Sequence, residues 1–184
     1  MFLQTNFHRD TLWRRLQLAL PAKTVMKENV FIEYIRNEKH YSSVLKQCKH
    51  AEKELWVSAA GIAQTAIAYG QWLKPFYMVV SELLSRRVSV RLLHTKEPGK
   101  AHLQEFKQHP MRHHLDEKVC PKANFNLLIF DSKMVYIGSA CLADMNMKMP
   151  VDHSYEAGIL TNNPQIVQSA KEQFDDAWNS GSVK

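Results

Sequence analysis

The chain contains no run of eighteen apolar residues, so no membrane span is indicated. Met1 to Asp10 lacks the basic, then apolar, then small-residue order of a secretory signal, and a cytoplasmic location is the default expectation. Cysteine is scarce. Cys48, Cys120 and Cys141 are scattered and odd in number, with no CxxC pair and no Cys/His spacing that suits zinc. Reduced, mostly buried thiols are therefore expected, and no metal or other cofactor. Repeats, low-complexity stretches and linker-length turn clusters are also missing, which argues against several domains.

What remains is ordinary globular material. The 184 residues suit one domain, and at 45% apolar and 23% charged they can bury a core without metal or disulfide help. The net charge of +6 is mild. It favours anionic partners, nucleic acid or phosphate-bearing surfaces, without requiring them.

Periodicity orders the elements. Asp10-Thr11 can cap a helix to about Leu20, where Pro21 stops it. Leu12, Leu16 and Leu20 share one face of that helix, while Trp13, Arg14, Arg15 and Gln17 fall elsewhere. It can pack on the domain or on a partner chain. Residues 1–40 form this helix and a lead-in; residues 41–184 carry the main body. Tyr41 to Ala51 reads as a helix with Val44, Leu45 and Cys48 inward. Leu55 to Ala60 is a short buried strand. Pro75 to Ser85 is a helix with a stripe of Phe76, Val79, Val80, Leu83 and Leu84. Val88 to Leu93 is a second strand. That strand–helix–strand order implies a parallel pair with a right-handed crossover.

Thr95 to Lys122 is polar and basic, and Ala101 to Gln108 reads as a short exposed helix. Leu127 to Phe130 and Met134 to Ile137 read as a hairpin turning at Asp131-Ser132-Lys133. Gly138 to His153 is a loop, and Tyr155 to Leu160 a last strand. Asn163-Pro164 opens a final helix that puts Ile166, Val167, Ala170, Phe174, Ala177 and Trp178 on one face. Glu172, Asp175 and Asp176 near its C-terminus oppose the helix dipole and call for a basic neighbour.

Cys120 to Leu142 reads CPKANFNLLIFDSKMVYIGSACL. Its spacing resembles the signature of the phospholipase D superfamily: His-x-Lys, four residues, Asp, six residues, Gly-Ser-x-Asn. Asn124 stands at the His position and Asn126 at the Lys position. Asp131 matches, Gly138 and Ser139 follow, and Cys141 stands at the Asn position. Downstream, His153 to Leu160 resembles the family's final strand with its Glu-x-Gly, here Glu156 and Gly158. The resemblance covers roughly Tyr41 to Trp178. It implies a single phospholipase D-like α/β domain, its mixed and mostly parallel sheet flanked by helices.

In that family two motif copies meet across a cleft, and no metal is required. One His attacks phosphorus, the other protonates the leaving oxygen, and Lys and Asn hold the phosphate oxygens. With one copy in this chain, the resemblance implies a homodimer through the motif face. The substitutions oppose the reaction. Asn is a neutral amide that neither forms a phospho-enzyme nor shuttles a proton, Asn126 carries no positive charge, and Cys141 is a weak donor. A pseudo-phosphodiesterase is expected, binding a phosphate-containing ligand or serving as a dimeric scaffold. Asn124, Asn126, Ser139, Cys141, Glu156 and His94 are the candidate ligand-binding residues. The alternatives are an active phosphodiesterase, a nuclease or phospholipid hydrolase or transferase using non-standard groups, and a nucleic-acid-binding module built on Thr95 to Lys122.

Other features weigh less. His94-Thr95-Lys96 is a second His-x-Lys, but Ala101 follows where Asp is needed, so it fails as a signature. His94 nevertheless ends a strand on the motif's rim and can line the pocket. His109, His113 and His114 lack the carboxylate or Cys that would complete a metal set. Met145, Met147 and Met149 suit loop packing. Ser139 lacks the elbow and base of a serine hydrolase.

Overall fold

A computed structural model describes residues 29–37, 39–59, 66–69, 72–98, 106–107, 109–139 and 155–183. The expected helix at 10–20, most of the short helix at 101–108, Cys141 and the Met145–Met149 loop lie outside these residues.

Eight strands form one sheet in the order β1-β9-β8-β7-β2-β5-β6-β10. They are β1 (Ile32–Arg36), β2 (Glu54–Ala59), β5 (Ser89–His94), β6 (Leu115–Val119), β7 (Asn126–Phe130), β8 (Met134–Gly138), β9 (Ala157–Thr161) and β10 (Ser182–Val183). A separate antiparallel pair joins β3 (Ala66–Tyr69) to β4 (Trp72–Pro75). A π-helical stretch, His40–Leu45, continues as a single α-turn, Lys46–Cys48; together they are α1. α2 is Phe76–Ser85 and α3 is Pro164–Ser180.

The sheet is mixed, as expected, but its balance is not mostly parallel. Only β2, β5 and β6 run parallel to one another, and every other neighbouring pair is antiparallel. The reason lies in the connections. A parallel pair needs a long crossover, which α2 supplies between β2 and β5, whereas β7 and β8 are joined by a tight turn that forces them antiparallel. The sequence reading misses the β3–β4 pair and three strands of the large sheet. β1 comes from the lead-in, β6 carries the polar sequence LDEKV, and β10 is two residues long.

Strand alternation divides the core between two faces. Leu55, Val57, Val90, Leu92, Leu128, Phe130, Tyr136 and Leu160 meet α1 and α2 on one face. Trp56, Leu93, Leu127, Ile129 and Val135 meet Val167, Ala170, Phe174 and Trp178 of α3 on the other. The inward residues expected for α1 and α2 are all buried.

α3 begins as its sequence predicts. Asn163 Oδ1 accepts the backbone N–H groups of Gln165 (3.0 Å) and Ile166 (3.3 Å), and Pro164 occupies the first turn. The basic neighbour called for near its end is Arg91, 3.2 Å from Asp175. The Arg91 guanidinium also lies 4.6 Å from the Trp56 ring centre and 5.4 Å from that of Trp178.

Candidate functional site

The motif residues start at one rim of the sheet. β7 begins at Asn126, which pairs with Gly138 of β8, and Gly138 pairs in turn with Gly158 of β9. Asn124 is exposed just before β7, in a segment turned by the Ala123 N–H to Cys120 carbonyl bond (3.0 Å). Asn126 is half-buried, and its amide Nδ2 donates to the Ser139 carbonyl at 3.1 Å. Ser139 extends the ladder past Gly138: its N–H donates to the Ala157 carbonyl (2.9 Å), and its Oγ accepts the Ala157 N–H (3.0 Å). Glu156, one residue earlier, exchanges backbone and side-chain bonds with Asn37 after β1. The rim thus gathers Asn124, Asn126, Ser139 and Glu156.

Asp131 is elsewhere. It follows β7 at the opposite end, about 17 Å from Asn126 along the strand. Asp131 and Ser132 sit at φ 52° and 53° in a tight turn closed by the Lys133 N–H to Phe130 carbonyl bond. Both values suit a hairpin, and Asp tolerates them. The Asp131 carboxylate accepts the backbone N–H groups of Glu52 (3.0 Å), Lys53 (2.7 Å) and Glu54 (3.0 Å). It joins the hairpin to the start of β2, and it contributes nothing at the rim.

Under the rim lies a buried aromatic contact. The Tyr136 ring covers both motif glycines: a Cβ at Gly138 would sit 2.0 Å from the Tyr136 hydroxyl, and one at Gly158 would sit 2.6 Å from the ring. Tyr136 Oη lies 2.6 Å from His40 Nδ1. Burial holds the His40 pKa below its ordinary value of 6.5, opposed in part by the Glu156 backbone. Sequence reading missed this pair; an aromatic two residues before a Gly on a strand is the signal that was present.

The spacing matches a known family. The sequence model of the family described as cardiolipin synthase, PLD-like domain, matches residues 44–178. The chain belongs to this phospholipase D-like family. Solved structures agree on the fold. NucT from Helicobacter pylori superposes with a TM-score of 0.64 at 13% identity, covering 84% of this chain and 99% of that one. Nuc from Salmonella typhimurium, a phospholipase D family member, gives 0.62 at 15% identity, covering 84% and 98%. TrmBL2, an archaeal chromatin protein with a novel mode of DNA binding, gives 0.56 at 17% identity, covering 95% of this chain and 61% of that one. A search of curated proteins finds no match.

Within this phospholipase D-like domain, His94 occupies its own corner. It ends β5, two strand spacings or about 10 Å from Asn126 across β2. Its side chain is buried, with Nε2 3.3 Å from Glu117 Oε1, and Glu117 Oε2 is 3.3 Å from Arg112. Together they line a cavity of about 220 Å³, with Lys107 at its side. Asn124 and Asn126 are not among its lining residues. His94 therefore shares the rim with the motif, as expected, but faces a separate hollow. Glu117 and Arg112 have no sequence signal, because β6 itself is hidden in a polar stretch. Among the described residues no cluster of His, Cys, Asp or Glu could hold a metal ion, and no helix is long and apolar enough to cross a membrane.

Proposed function

We propose that this chain is a non-hydrolysing phospholipase D-like protein that binds a phosphate-containing ligand at its motif rim, within a homodimer joined through that face. One observation carries the reading. The residue at the Lys position, Asn126, uses its side-chain amide to brace β7 against Ser139, and has no charge to hold a phosphate oxygen. Asn124, at the nucleophile position, is exposed and cannot form a covalent phospho-enzyme. What both can still do is donate hydrogen bonds to an anion.

Purified protein is expected to leave bis(p-nitrophenyl) phosphate intact, with or without chelator, while retaining millimolar-range phosphate binding by ³¹P NMR. Appreciable chelator-insensitive hydrolysis overturns the reading. If such turnover disappeared in His94→Ala, the His94–Glu117 corner would be its source. The double reversion Asn124→His, Asn126→Lys asks whether the rest of the rim still serves the chemistry. Sedimentation velocity tests the dimer.

Nucleic acid is the favoured form of the phosphate ligand. Lys122, two residues before Asn124, and Lys96, two residues beyond His94, are both exposed at this rim. Backbone phosphate contacts make affinity fall steeply with salt. Binding of a single-stranded oligonucleotide is therefore expected to weaken strongly between 50 and 200 mM salt; salt-independent binding or none counts against it.

A further inference from the structure

β1 closes one side of the large sheet, and among the described residues no strand pairs beyond it. Its inner side is held by β9. The Asn37 N–H donates to the Glu156 carbonyl at 3.1 Å, in register with Arg36 opposite Ala157. Backbone groups alternate along an antiparallel strand, so Glu33 and Ile35 also turn their N–H and C=O groups toward β9. Ile32, Tyr34 and Arg36 therefore turn theirs outward. An apolar row runs up to the same edge. On one face of the sheet, among the described residues, α3 alone packs, over β2, β5, β7 and the Val135 end of β8. Beyond it Ile137 of β8 pairs with Ile159 of β9, and Ile159 pairs with Tyr34 of β1. Cross-strand partners share a face, so these three stand side by side. Their exposures are 39% for Ile137, 42% for Ile159 and 64% for Tyr34.

We propose that β1 pairs antiparallel with β1 of a second copy, about a two-fold axis that passes through Tyr34 perpendicular to the sheet. In this register Tyr34 meets Tyr34, and Ile32 of each copy meets Arg36 of the other. All three outward-facing residues of the strand are then used, and each pair exchanges two backbone hydrogen bonds. Other registers fare worse. A centre at Glu33 or Ile35 calls on backbone groups already turned to β9, and the Glu33 centre also sets carboxylate against carboxylate. A centre at Arg36 opposes two guanidinium groups, and one at Ile32 carries Tyr34 and Arg36 past the start of the other strand. With Tyr34 at the centre neither charge meets its own kind: Glu33 stands opposite Ile35, and Arg36 opposite Ile32. A perpendicular axis keeps equivalent side chains on the same face. The row Ile137, Ile159, Tyr34 then continues into Tyr34, Ile159 and Ile137 of the second copy, one apolar strip across two sheets. Nothing within Ile32–Arg36 blunts the edge, since the strand holds no Pro, no Lys and no bulge. This contact lies on the side of the sheet, apart from the motif rim, and is additional to the motif-face dimer. Two different two-fold contacts on one chain build a tetramer or an open array.

The test is cysteine pairing in the full chain with Cys141→Ala; Cys48 and Cys120 are buried. Opposed residues of a hydrogen-bonded antiparallel pair have Cα atoms about 5.5 Å apart, within disulfide reach. Under mild oxidation Tyr34→Cys is expected to give a disulfide-linked dimer. Ile32→Cys and Arg36→Cys, each about 13 Å from its own copy in this register, are expected not to link alone but to link to each other when mixed. No dimer from Tyr34→Cys, or self-linking of Ile32→Cys as ready as that of Tyr34→Cys, overturns the proposal. In parallel, Tyr34→Lys places two ammonium groups at the axis. It is expected to keep the circular-dichroism spectrum and to halve the mass of the assembly seen by sedimentation velocity at about 100 μM, whether or not the motif-face contact forms. An unchanged mass also overturns it.

Discussion

Tyr136 Oη and His40 Nδ1 lie 2.6 Å apart in the core directly beneath the motif glycines. His40 is 1% exposed, and among the described residues its Nε2 has no hydrogen-bond partner. A charge on this ring is costly, which is why burial lowers its pKa. Below the ordinary value of 6.5 the unfolded chain takes up a proton that the folded chain refuses, until the lowered folded pKa is reached. The His40 contribution to stability is therefore complete above pH 6.5 and is lost as pH falls through that window. Urea midpoints measured from pH 8 to pH 5 are expected to decline, and to decline less steeply in the double variant His40→Leu, Tyr136→Phe, which removes both partners.

Gly138 is required by Tyr136 and by little else. A methyl there overlaps the phenol, while its next contact, the Ala157 carbonyl, is at 3.0 Å. Gly138→Ala should cost about 1–3 kcal/mol by overpacking, and Tyr136→Leu about 2–4 kcal/mol by lost packing. Because the small residue leaves room for the methyl, the double variant is expected to be more stable than the sum of the two losses predicts. A double-mutant cycle by chemical denaturation measures the coupling. Strict additivity would show that something other than the Tyr136 ring excludes the methyl.

Asp131 should behave as a structural residue despite its place in the motif. Asp131→Ala removes three hydrogen bonds to a carboxylate and puts a Cβ-bearing residue without local hydrogen bonding at φ 52°. A loss of about 2–4 kcal/mol is expected. Asp131→Asn keeps one acceptor oxygen and tolerates the positive φ, so its loss should be clearly smaller. Phosphate binding at the rim, about 17 Å away, should be unchanged in Asp131→Asn. A large fall in that affinity, with the fold intact, would contradict the separation of the two ends.

Cys48 reports on the opening of α1. Burial pushes its thiol pKa up from 9.0 to about 12. Native protein at pH 8 is expected to leave Cys48 unlabelled by a thiol reagent for hours, with labelling appearing across the denaturant transition. Mass mapping of the modified peptide checks it. Rapid labelling under native conditions would mean that α1 opens without global unfolding.

Much of the fold was legible because periodic burial writes itself into sequence. The stripe Phe76, Val79, Val80, Leu83, Leu84 marked α2, the cap Asn163-Pro164 marked α3, and the apolar runs around Asp131 marked the β7–β8 hairpin. The separate β3–β4 pair was not legible, and in the large sheet neither were β1, β6 and β10. They sit at or next to the sheet's edges, where fewer side chains are buried and alternation fades, as LDEKV shows with only Leu115 and Val119 buried. Spacing between Asn124 and Ser139 likewise carried the family, since strand and turn lengths are local properties.

What the sequence alone determined, then, is the order of α1, α2, α3 and of strands β2, β5, β7, β8 and β9, most of the core, and the amide chemistry standing at the nucleophile and Lys positions. The tertiary structure decided who meets whom. Asp131 binds backbone 77 to 79 residues away at the far end of β7, and Tyr136 meets His40 from 96 residues away. His94 turns toward Glu117 and a hollow of its own. The reason is physical: composition and period set which residues are buried, but register and strand order set which buried polar atoms come within hydrogen-bonding distance. Those partners leave no trace in local sequence.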